Sequence, residues 1–379
     1  MTYKKKIVFI TGTRADYGKI KSVINILKKN FKIYIYVTGM HMLSKYGGTY
    51  IQIKKENKSF ANITLYKNQY IDTETTGIVF GRTISNFSKY LLKVKPDMVL
   101  VHGDRYESLA AAISASSINI LVGHIEGGEL SGNIDEHLRH AISKLSNLHF
   151  VSNKNAKKNL IQMGEKNSTI FEVGSPDIDI MNSKNLPNLD SVKKRYNIKF
   201  SNFGILIFHP FNFQNLDKYK KNIMSVIESI KNSKENYIII YPNNDHGNNV
   251  IIEMYKKYLK EKNFKIIRSC RFEYFLTLLK NSKLIIGNSS AGIREAPFYG
   301  VPSINIGERQ KNRFIYPSIM NLNFEKKKIL NAINKSKDKK FKKTNFFGNG
   351  KSDEKIYSIL SNKKIWKISR QKQLILKDF

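Results

Sequence analysis

The sequence predicts an α/β protein built of two Rossmann-like doubly wound domains that face each other across a cleft. In both halves of the chain, short apolar runs rich in β-branched residues alternate with longer segments of helical spacing. The runs are continuously apolar rather than alternating, which indicates parallel strands covered by helices on both faces. The length of 379 residues exceeds one typical core and suits two domains.

The first half repeats a strand–helix alternation that is typical of a doubly wound domain. Its expected strands are Ile7–Thr11, Ile33–Val37, Met98–Val101, Ile118–Val122 and His149–Ser152. Its expected helices are Asp16–Lys29, Ile84–Lys93, Glu107–Ser116 and Ile134–Leu145. We therefore assign residues 1–182 to an N-terminal Rossmann-like domain.

The same pattern restarts in the second half. Its expected strands are Phe203–Phe208, Tyr237–Tyr241, Lys265–Arg268, Leu284–Ile286 and Ser303–Ile306. The polar segment Ser183–Phe200 reads as the linker into a C-terminal Rossmann-like domain of residues 183–352. Residues 353–379 form a basic helical tail, and the sequence leaves open whether it packs back on the first domain. Tandem domains of this kind leave a cleft between the carboxyl edges of their sheets, where ligands are favoured.

The formal net charge of +35 would suit a nucleic-acid binder. The lysines are nevertheless scattered, and lysine, asparagine and isoleucine are enriched together. The denser clusters, Lys326–Lys328 with Lys335–Lys343 and the stretch from Lys363 to Lys377, lie outside the motif-bearing segments. We interpret the charge as a solvated surface and expect no nucleic-acid partner.

Composition also bears on location. No run of about 18 apolar residues occurs, so we expect no membrane span. The start MTYKKKIVFITG reads better as a first strand than as a signal peptide. Cys270 is the single cysteine, which excludes an intrachain disulfide and a cysteine-based metal cluster. A reducing cytoplasm fits these features.

The first expected strand runs into the segment Thr11–Lys19, a glycine-bearing turn before a helix. Such a turn presents backbone N–H groups and a positive dipole end to an anion, and Arg14 adds a donor fork suited to phosphate. An ordinary turn with a helix cap at Asp16 is the alternative. The G-x-G-x-x-G fingerprint is absent, so we expect no nicotinamide cofactor.

Two later strand ends carry clusters of ionisable residues. The first holds His102, Asp104 and Arg105, and the second holds His124 and Glu126 between glycines. Ionisable groups at such positions are costly to bury unless they are paired or used. An Asp104–Arg105 salt bridge is the alternative for the first cluster. Two clusters on successive strand ends predict a site.

The helix Ile134–Leu145 places pairs of charged residues on shared faces. Asp135 with Arg139 and Glu136 with His140 are spaced i,i+4. Acidic residues in a first turn also favour the helix dipole, which is the alternative explanation. His137 and His140 are spaced i,i+3, and no third metal ligand is obvious beside them. We therefore expect no bound metal.

The second half carries two further candidates. His209 follows an apolar strand, and the segment Gly287–Ala296 places Ser289 and Ser290 at a helix start, an arrangement suited to a diphosphate. Glu295 lies where it could accept hydrogen bonds from ribose hydroxyls. Gly348–Ser352 is not a phosphate loop, because the required first glycine falls at Asn345 and no strand precedes it.

These segments together resemble the hydrolysing UDP-N-acetylglucosamine 2-epimerase family of bacterial sialic-acid pathways. The resemblance covers nearly the whole chain, and the HIEGGE and RHAISKL strings favour the hydrolysing branch. It is carried by GTRADYGK (12–19), VHGDR (101–105), HIEGGELSG (124–132), IDEHLRHAISKLSNLHF (134–150), GSPDID (174–179), GNSSAGIREA (287–296) and GNGKSDEKI (348–356).

The resemblance implies a GT-B-like enzyme without metal or nicotinamide. It would eliminate UDP across C1–C2 of the sugar, form 2-acetamidoglucal and hydrate it to N-acetylmannosamine. Matching positions assign acid–base work to the carboxylates, departure of the nucleotide to His209, and ligand contacts to the remaining residues. The carboxylates are Asp104, Glu126, Asp135 and Glu136. The contacts are Arg14, Ser289, Ser290 and Arg309 for phosphate, Glu295 for ribose, Asn243 and Phe272 for the nucleotide, and His102, Arg105, His124 and Arg139 for substrate.

The resemblance also implies a homodimer or homotetramer. Three alternatives stay open. The same chemistry could act on a UDP- or GDP-linked 2,4-diacetamido-2,4,6-trideoxyhexose, for legionaminic acid. A GT-B glycosyltransferase would need an acceptor site. A nucleic-acid or surface binder would leave the acidic motifs unexplained.

Overall fold

The computed structural model describes residues 4–67, 76–211, 215–243 and 245–375. Lys377, which belongs to the second basic cluster, lies outside these ranges. The chain divides into two compact units. Unit 1 comprises Met1–Leu130, Ile134–Ser183 and Phe346–Phe379, and unit 2 comprises Ser131–Asn133 and Lys184–Asn345.

Strands and helices alternate along both units. The strands are β1 Lys6–Thr11, β2 Lys32–Val37, β3 Ala61–Leu65, β4 Met98–His102, β5 Leu121–Ile125, β6 Leu148–Val151, β7 Ile170–Glu172, β8 Gly204–Ile207, β9 Tyr237–Ile240, β10 Phe264–Ile267, β11 Ile285–Gly287, β12 Ser303–Ile306 and β13 Ile319–Leu322. The helices are α1 Arg14–Leu27, α2 Tyr50–Asn57, α3 Thr76–Val94, α4 Tyr106–Ser116, α5 Ile134–Leu145, α6 Lys154–Gln162, α7 Pro176–Met181, α8 Leu189–Tyr196, α9 Leu216–Asn232, α10 Asn248–Tyr258, α11 Phe272–Lys280, α12 Glu295–Tyr299, α13 Lys326–Ser336 and α14 Ser352–Ser361.

Unit 1 is built on a parallel sheet whose strands, in the described residues, run in the order β3-β2-β1-β4-β5-β6-β7. The strand order reverses between β1 and β4, where Phe9 pairs with Leu100. Doubly wound sheets bind ligands beyond the carboxyl ends of strands at this switch point. The loops after β1 and β4 are therefore the first places to look for a site.

Both faces of this sheet are covered. Ile7 and Phe9 of β1 pack in one apolar cluster, while Val8 and Ile10 pack in another on the opposite face. This arrangement follows from the continuously apolar sequence of the strand, because successive side chains point to opposite faces. Helix α14 closes the first cluster with Ile356 and Leu360, so the C-terminal segment contributes to the core of unit 1.

Unit 2 repeats the topology with the described strands in the order β10-β9-β8-β11-β12-β13, all parallel. Its switch point lies between β8 and β11. The predicted pair of Rossmann-like doubly wound sheets is therefore confirmed. The segment that reads as a linker contains α8, because the Asn188 side chain caps its first turn and Val192 is buried.

The structure departs from the expected elements in several places. Helix α3 begins at Thr76 rather than at Ile84, and α2, α6 and α7 are additional helices of unit 1. The strand expected at Ile118–Val122 is β5, shifted towards the C-terminus because Asn119 makes a left-handed turn after α4 with φ of 57°. His124 therefore lies inside the strand. Strands β3, β7 and β13 were not expected, and they are sheet edges that lack a continuous apolar run. Among the described helices, none combines the length and hydropathy that a membrane crossing requires.

Candidate active site

The loop after β1 is tightly organised at the switch point of unit 1. The Thr13 side chain caps α1 by accepting from the Asp16 N–H at 3.1 Å, and Asp16 Oδ2 accepts from the Gly12 N–H at 3.3 Å. A Cβ at Gly12 would lie within 3 Å of the Glu107 carboxyl group, so a larger residue there would require the Glu107 side chain to move. Arg14 is the first residue of α1 and is partly buried.

His102, the last residue of β4, lies between two carboxylates. Its Nδ1 is 2.9 Å from Asp16 Oδ1, and its Nε2 is 3.3 Å from Glu126 Oε2. Burial of the ring lowers the pKa of His102, but the charge of Glu126 and the hydrogen bond to Asp16 outweigh it and raise that pKa to about 10. The group is therefore a buried imidazolium between two anions.

Glu126 follows β5 and adopts a left-handed conformation with φ of 66°. Its N–H donates to the Phe150 carbonyl at 2.9 Å, and the Ser175 hydroxyl donates to its Oε1. Left-handed backbone is costly for a residue with a Cβ and persists only where its surroundings impose it. The carboxylate of Glu126 is thus held from both oxygens at the carboxyl edge of the sheet.

A second carboxylate is anchored by Arg139 of α5, which is 1% exposed. Its Nη2 pairs with Asp104 Oδ2, and its Nη1 donates to the Glu129 carbonyl at 2.7 Å. Burial lowers the pKa of Arg139, but Asp104 and Glu129 raise it by more, so the guanidinium stays charged. Arg105, the alternative partner for Asp104, lies 3.6 Å from Glu107 through its Nε.

His124 is fully buried and connects three elements. Its Nδ1 lies 2.9 Å from Ser143 Oγ of α5, and its Nε2 lies 2.8 Å from the Gly103 carbonyl. Burial lowers the pKa of His124 to about 3, so the ring is neutral. Nε2 must then carry the hydrogen that it donates to Gly103, and Nδ1 accepts from the serine. His124 thereby fixes the loop that presents Asp104.

Helix α5, which carries Arg139, also carries two carboxylates in its first turn. Asp135 and Glu136 are partly buried, and Glu136 Oε1 lies 3.8 Å from His140 Nε2, as the i,i+4 spacing predicts. The charge of Asp135 also contributes to raising the pKa of Arg139. In the part of the chain that the structure describes, no group of three His, Cys, Asp or Glu is arranged to hold a metal ion.

At the switch point of unit 2, His209 and Asn288 are joined by two hydrogen bonds. The Asn288 side chain accepts from the His209 N–H at 2.6 Å and donates to its carbonyl at 2.9 Å. The Asn243 N–H donates to His209 Nδ1 at 3.2 Å. A neutral His209 therefore carries its ring hydrogen on Nε2, where it can be donated to an anion.

The loop after β11 supplies the other candidates of unit 2. Ser289 caps a 3-10 turn at Ser290–Gly292, and α12 begins at Glu295. Arg309 is buried, and its Nη1 donates to the Asn288 carbonyl at 3.2 Å. Phe272 is also buried, at the first residue of α11. Arg309, Ser289 and Ser290 therefore lie near the hydrogen-bonded pair of Asn288 and His209.

Sequence reasoning missed partners that the fold supplies from distant segments. The sequence alone indicates a helix cap at Asp16, no role for Ser175 and only a helix start at Glu107. Asp16 and Ser175 hold opposite ends of the His102–Glu126 pair. Both lie in motifs that carry the family resemblance, GTRADYGK and GSPDID, which is the signal that could have found them.

We predict that His102 remains charged well above neutral pH. The pKa of His102 in the folded state lies above the ordinary value of 6.5. The contribution of the charged ring to the free energy of unfolding is therefore complete below pH 6.5 and is lost as the pH rises through about 10. Ring-nitrogen NMR, assigned with a His102→Asn variant, measures this directly. His124 provides an internal comparison, because its ring should stay neutral from pH 5 upwards. A neutral His102 ring at pH 7 would contradict the prediction.

The fold and the site define a protein class: two doubly wound units with ionisable and hydroxyl side chains at the strand ends that flank each switch point. Comparison with known proteins narrows this class. Residues 25–361 match the UDP-N-acetylglucosamine 2-epimerase family. The chain belongs to that family.

Several relatives match over almost the full length. The chain is 44% identical to UDP-N-acetylglucosamine 2-epimerase of Neisseria meningitidis serogroup B, covering 98% of this chain and 99% of the relative. It is 36% identical to UDP-N,N'-diacetylbacillosamine 2-epimerase (hydrolyzing) of Legionella pneumophila, covering 94% and 95%. It is also 36% identical to polysialic acid biosynthesis protein P7 of Escherichia coli, covering 89% and 87%.

A solved structure agrees with this assignment. The fold matches UDP-GlcNAc 2-epimerase of Methanocaldococcus jannaschii, in complex with UDP-GlcNAc and UDP, with a TM-score of 0.78 and 27% identity. The match covers 94% of this chain and 99% of that one. The expected GT-B-like fold class is therefore confirmed.

Proposed function

We propose that this enzyme is a hydrolysing UDP-N-acetylglucosamine 2-epimerase, which converts UDP-N-acetylglucosamine and water into N-acetylmannosamine and UDP for sialic acid synthesis. The observation that carries the proposal is the pair of anchored carboxylates, Glu126 and Asp104, at neighbouring strand ends of unit 1. The names of the relatives support the choice among family branches, since one is called hydrolyzing and another belongs to polysialic acid biosynthesis.

The reaction needs proton transfer at C2 of the sugar, a carbon that is not acidic. In the first step, a carboxylate takes the C2 proton, the C1–O bond breaks, and its electron pair leaves with the UDP phosphate. A C1–C2 double bond remains in 2-acetamidoglucal. In the second step, water bonds to C1 and gives up a proton, while C2 receives a proton on the opposite face.

Two-face proton transfer calls for acid and base groups with different environments. Glu126 faces an imidazolium and a hydroxyl, whereas Asp104 faces a guanidinium. Asp135 and Glu136 lie in the first turn of the helix that supplies Arg139. We propose that these four carboxylates share the transfers at C2 and C1.

The residues of unit 2 suit the leaving group. The bond from the Asn243 N–H to Nδ1 leaves the His209 Nε2 hydrogen as the donor, and a donor stabilises charge that develops on a departing phosphate. Arg309, Ser289 and Ser290 would bind the diphosphate, and Glu295 the ribose. Asn243 and Phe272 would contact the rest of the nucleotide.

The test is turnover in deuterated buffer followed by proton NMR. We expect free N-acetylmannosamine and UDP, with deuterium at C2 of the sugar. UDP-N-acetylmannosamine as the product would instead place the enzyme in the non-hydrolysing branch. Product without deuterium at C2 would overturn the elimination mechanism.

A second candidate is the same chemistry on a UDP- or GDP-linked 2,4-diacetamido sugar. The observation that favours it is the 36% identity to the diacetylbacillosamine 2-epimerase of Legionella pneumophila. The anchored carboxylates serve both donors equally, because they act at C1 and C2 rather than at C4. Turnover of the diacetamido donor with none of UDP-N-acetylglucosamine would decide for this candidate.

A further inference from the structure

Near its C-terminus the chain returns to α5, the helix that carries Asp135, Glu136 and Arg139. We call residues 369–375 the C-terminal strap. The ammonium group of Lys372 lies within hydrogen-bonding distance of three carbonyl groups at the end of α5, those of Ser143 at 2.8 Å, Lys144 at 3.0 Å and Ser146 at 2.8 Å. A cation at this position satisfies carbonyls that the helix leaves without partners and complements its dipole.

The same ammonium group is paired with Glu165, at 2.5 Å from Oε2. Glu165 also lies 3.0 Å from His149 Nε2 and 3.0 Å from Lys144 Nζ. Burial raises the pKa of Glu165, but hydrogen bonds from His149 and Lys372 outweigh it and lower that pKa to about 2. The carboxylate is therefore ionised at neutral pH and neutralises the partly buried ammonium group.

Backbone contacts hold the strap on both sides of Lys372. The Asn147 side chain donates to the Arg370 carbonyl at 3.2 Å, and the Ile375 N–H donates to the Gly164 carbonyl at 3.0 Å. The Leu374 side chain lies against Gly164, where a Cβ would collide with it. The main chain of the strap is thus held in place on both sides, and the Lys372 side chain contacts the end of α5.

The end of α5 leads directly to the anchored carboxylates. Ser143, whose carbonyl receives Lys372, donates its hydroxyl hydrogen to His124 Nδ1. His124 donates in turn to the Gly103 carbonyl, next to Asp104. One turn earlier on the same helix, Arg139 pairs with Asp104 directly. A shift of this helix end would therefore move both supports of Asp104.

We propose that Lys372 is a positioning residue for the reaction proposed above, holding α5 and His124 so that Asp104 keeps its place. The inference rests on the proposed function for its kinetic effect and on contacts within unit 1 for its structural effect. Misplacement of a reacting group by about 1 Å can cost on the order of 100-fold in rate. The affinity for UDP, whose contacts we assign mainly to residues of unit 2, should not change.

The test compares Lys372→Met with Lys367→Met, a matched removal of an exposed lysine in the same C-terminal segment. We expect Lys372→Met to lower kcat by about tenfold or more, with the Kd for UDP unchanged. Amide hydrogen exchange in the second half of α5 should become faster, while exchange in α9 should not. Lys367→Met should match the wild type in every measurement.

Restoring the ammonium group provides the decisive arm. Cys270 is the single cysteine, so Lys372→Cys in a Cys270→Ser background can be converted by bromoethylamine into a lysine analogue at one position. Recovery of kcat and of slow α5 exchange would support positioning. An unchanged kcat in Lys372→Met overturns the proposal. A loss of kcat that is fully explained by the fraction of unfolded protein also overturns it. If the wild type turns over neither donor, the proposed function fails, and α5 exchange alone decides whether Lys372 holds the helix.

Discussion

Replacement of Glu126 by glutamine is expected to lower kcat by about 10²- to 10⁴-fold, the contribution typical of a positioned acid or base. Glutamine keeps the shape of the side chain and can still accept from the Ser175 hydroxyl. It removes the negative charge that faces His102 and the capacity to exchange a proton with the sugar. The measurement is the rate of UDP release at saturating UDP-N-acetylglucosamine.

Glu172→Gln is the matched control, because Glu172 is exposed on β7 of the same sheet. That variant should retain wild-type kcat. The Kd of Glu126→Gln for UDP should also remain within about threefold of the wild type, because we assign the nucleotide contacts mainly to unit 2. A kcat within about fivefold of the wild type would remove Glu126 from the acid–base set.

Replacement of Arg139 by methionine is expected to lower the free energy of unfolding by about 3–5 kcal/mol, as happens when one partner of a buried pair is removed. Arg139 is 1% exposed, and its loss removes one buried charged donor from both the Glu129 carbonyl and Asp104. We expect the lower end of that range, because the Asp104 side chain is 23% exposed and water can reach it. Urea denaturation monitored by circular dichroism measures the change.

Lys158→Met, which removes an exposed cation from α6, should change the unfolding free energy by less than about 0.5 kcal/mol. The Arg139 variant should also lose activity under conditions where it remains folded, because Asp104 is released from its place. An Arg139 variant as stable as the lysine control would mean that the guanidinium is not a structural anchor.

The interior of both sheets could be predicted from sequence, because strands covered on both faces must be apolar at every position. The run Val8–Ile10 is an example, with side chains entering two different clusters. The edge strands could not be predicted in the same way. Strand β3 reads Ala-Asn-Ile-Thr-Leu, since one neighbour and partial solvent exposure allow polar residues. Local composition therefore carries less information at an edge.

The candidate site shows the same division between local and long-range information. Residues at strand ends, such as Asp104 and Glu126, could be predicted because ionisable groups beside buried strands are costly without a role. Their supports come from far along the chain: Ser175 lies 49 residues after Glu126, and Asp16 lies 86 before His102. No periodicity links such positions, so only the fold or a family resemblance can bring them together.

The return of residues 346–379 to unit 1 has a consequence for folding during synthesis on the ribosome. The first unit needs Ile356 and Leu360 to close one of its apolar clusters, yet residues 184–345 are synthesised before them. At about 5–20 residues per second, the nascent first unit waits on the order of ten seconds with part of α1 uncovered. A stop codon that removes the last tenth of the gene would therefore leave unit 1 open to chaperones and proteases rather than merely trim an appendage.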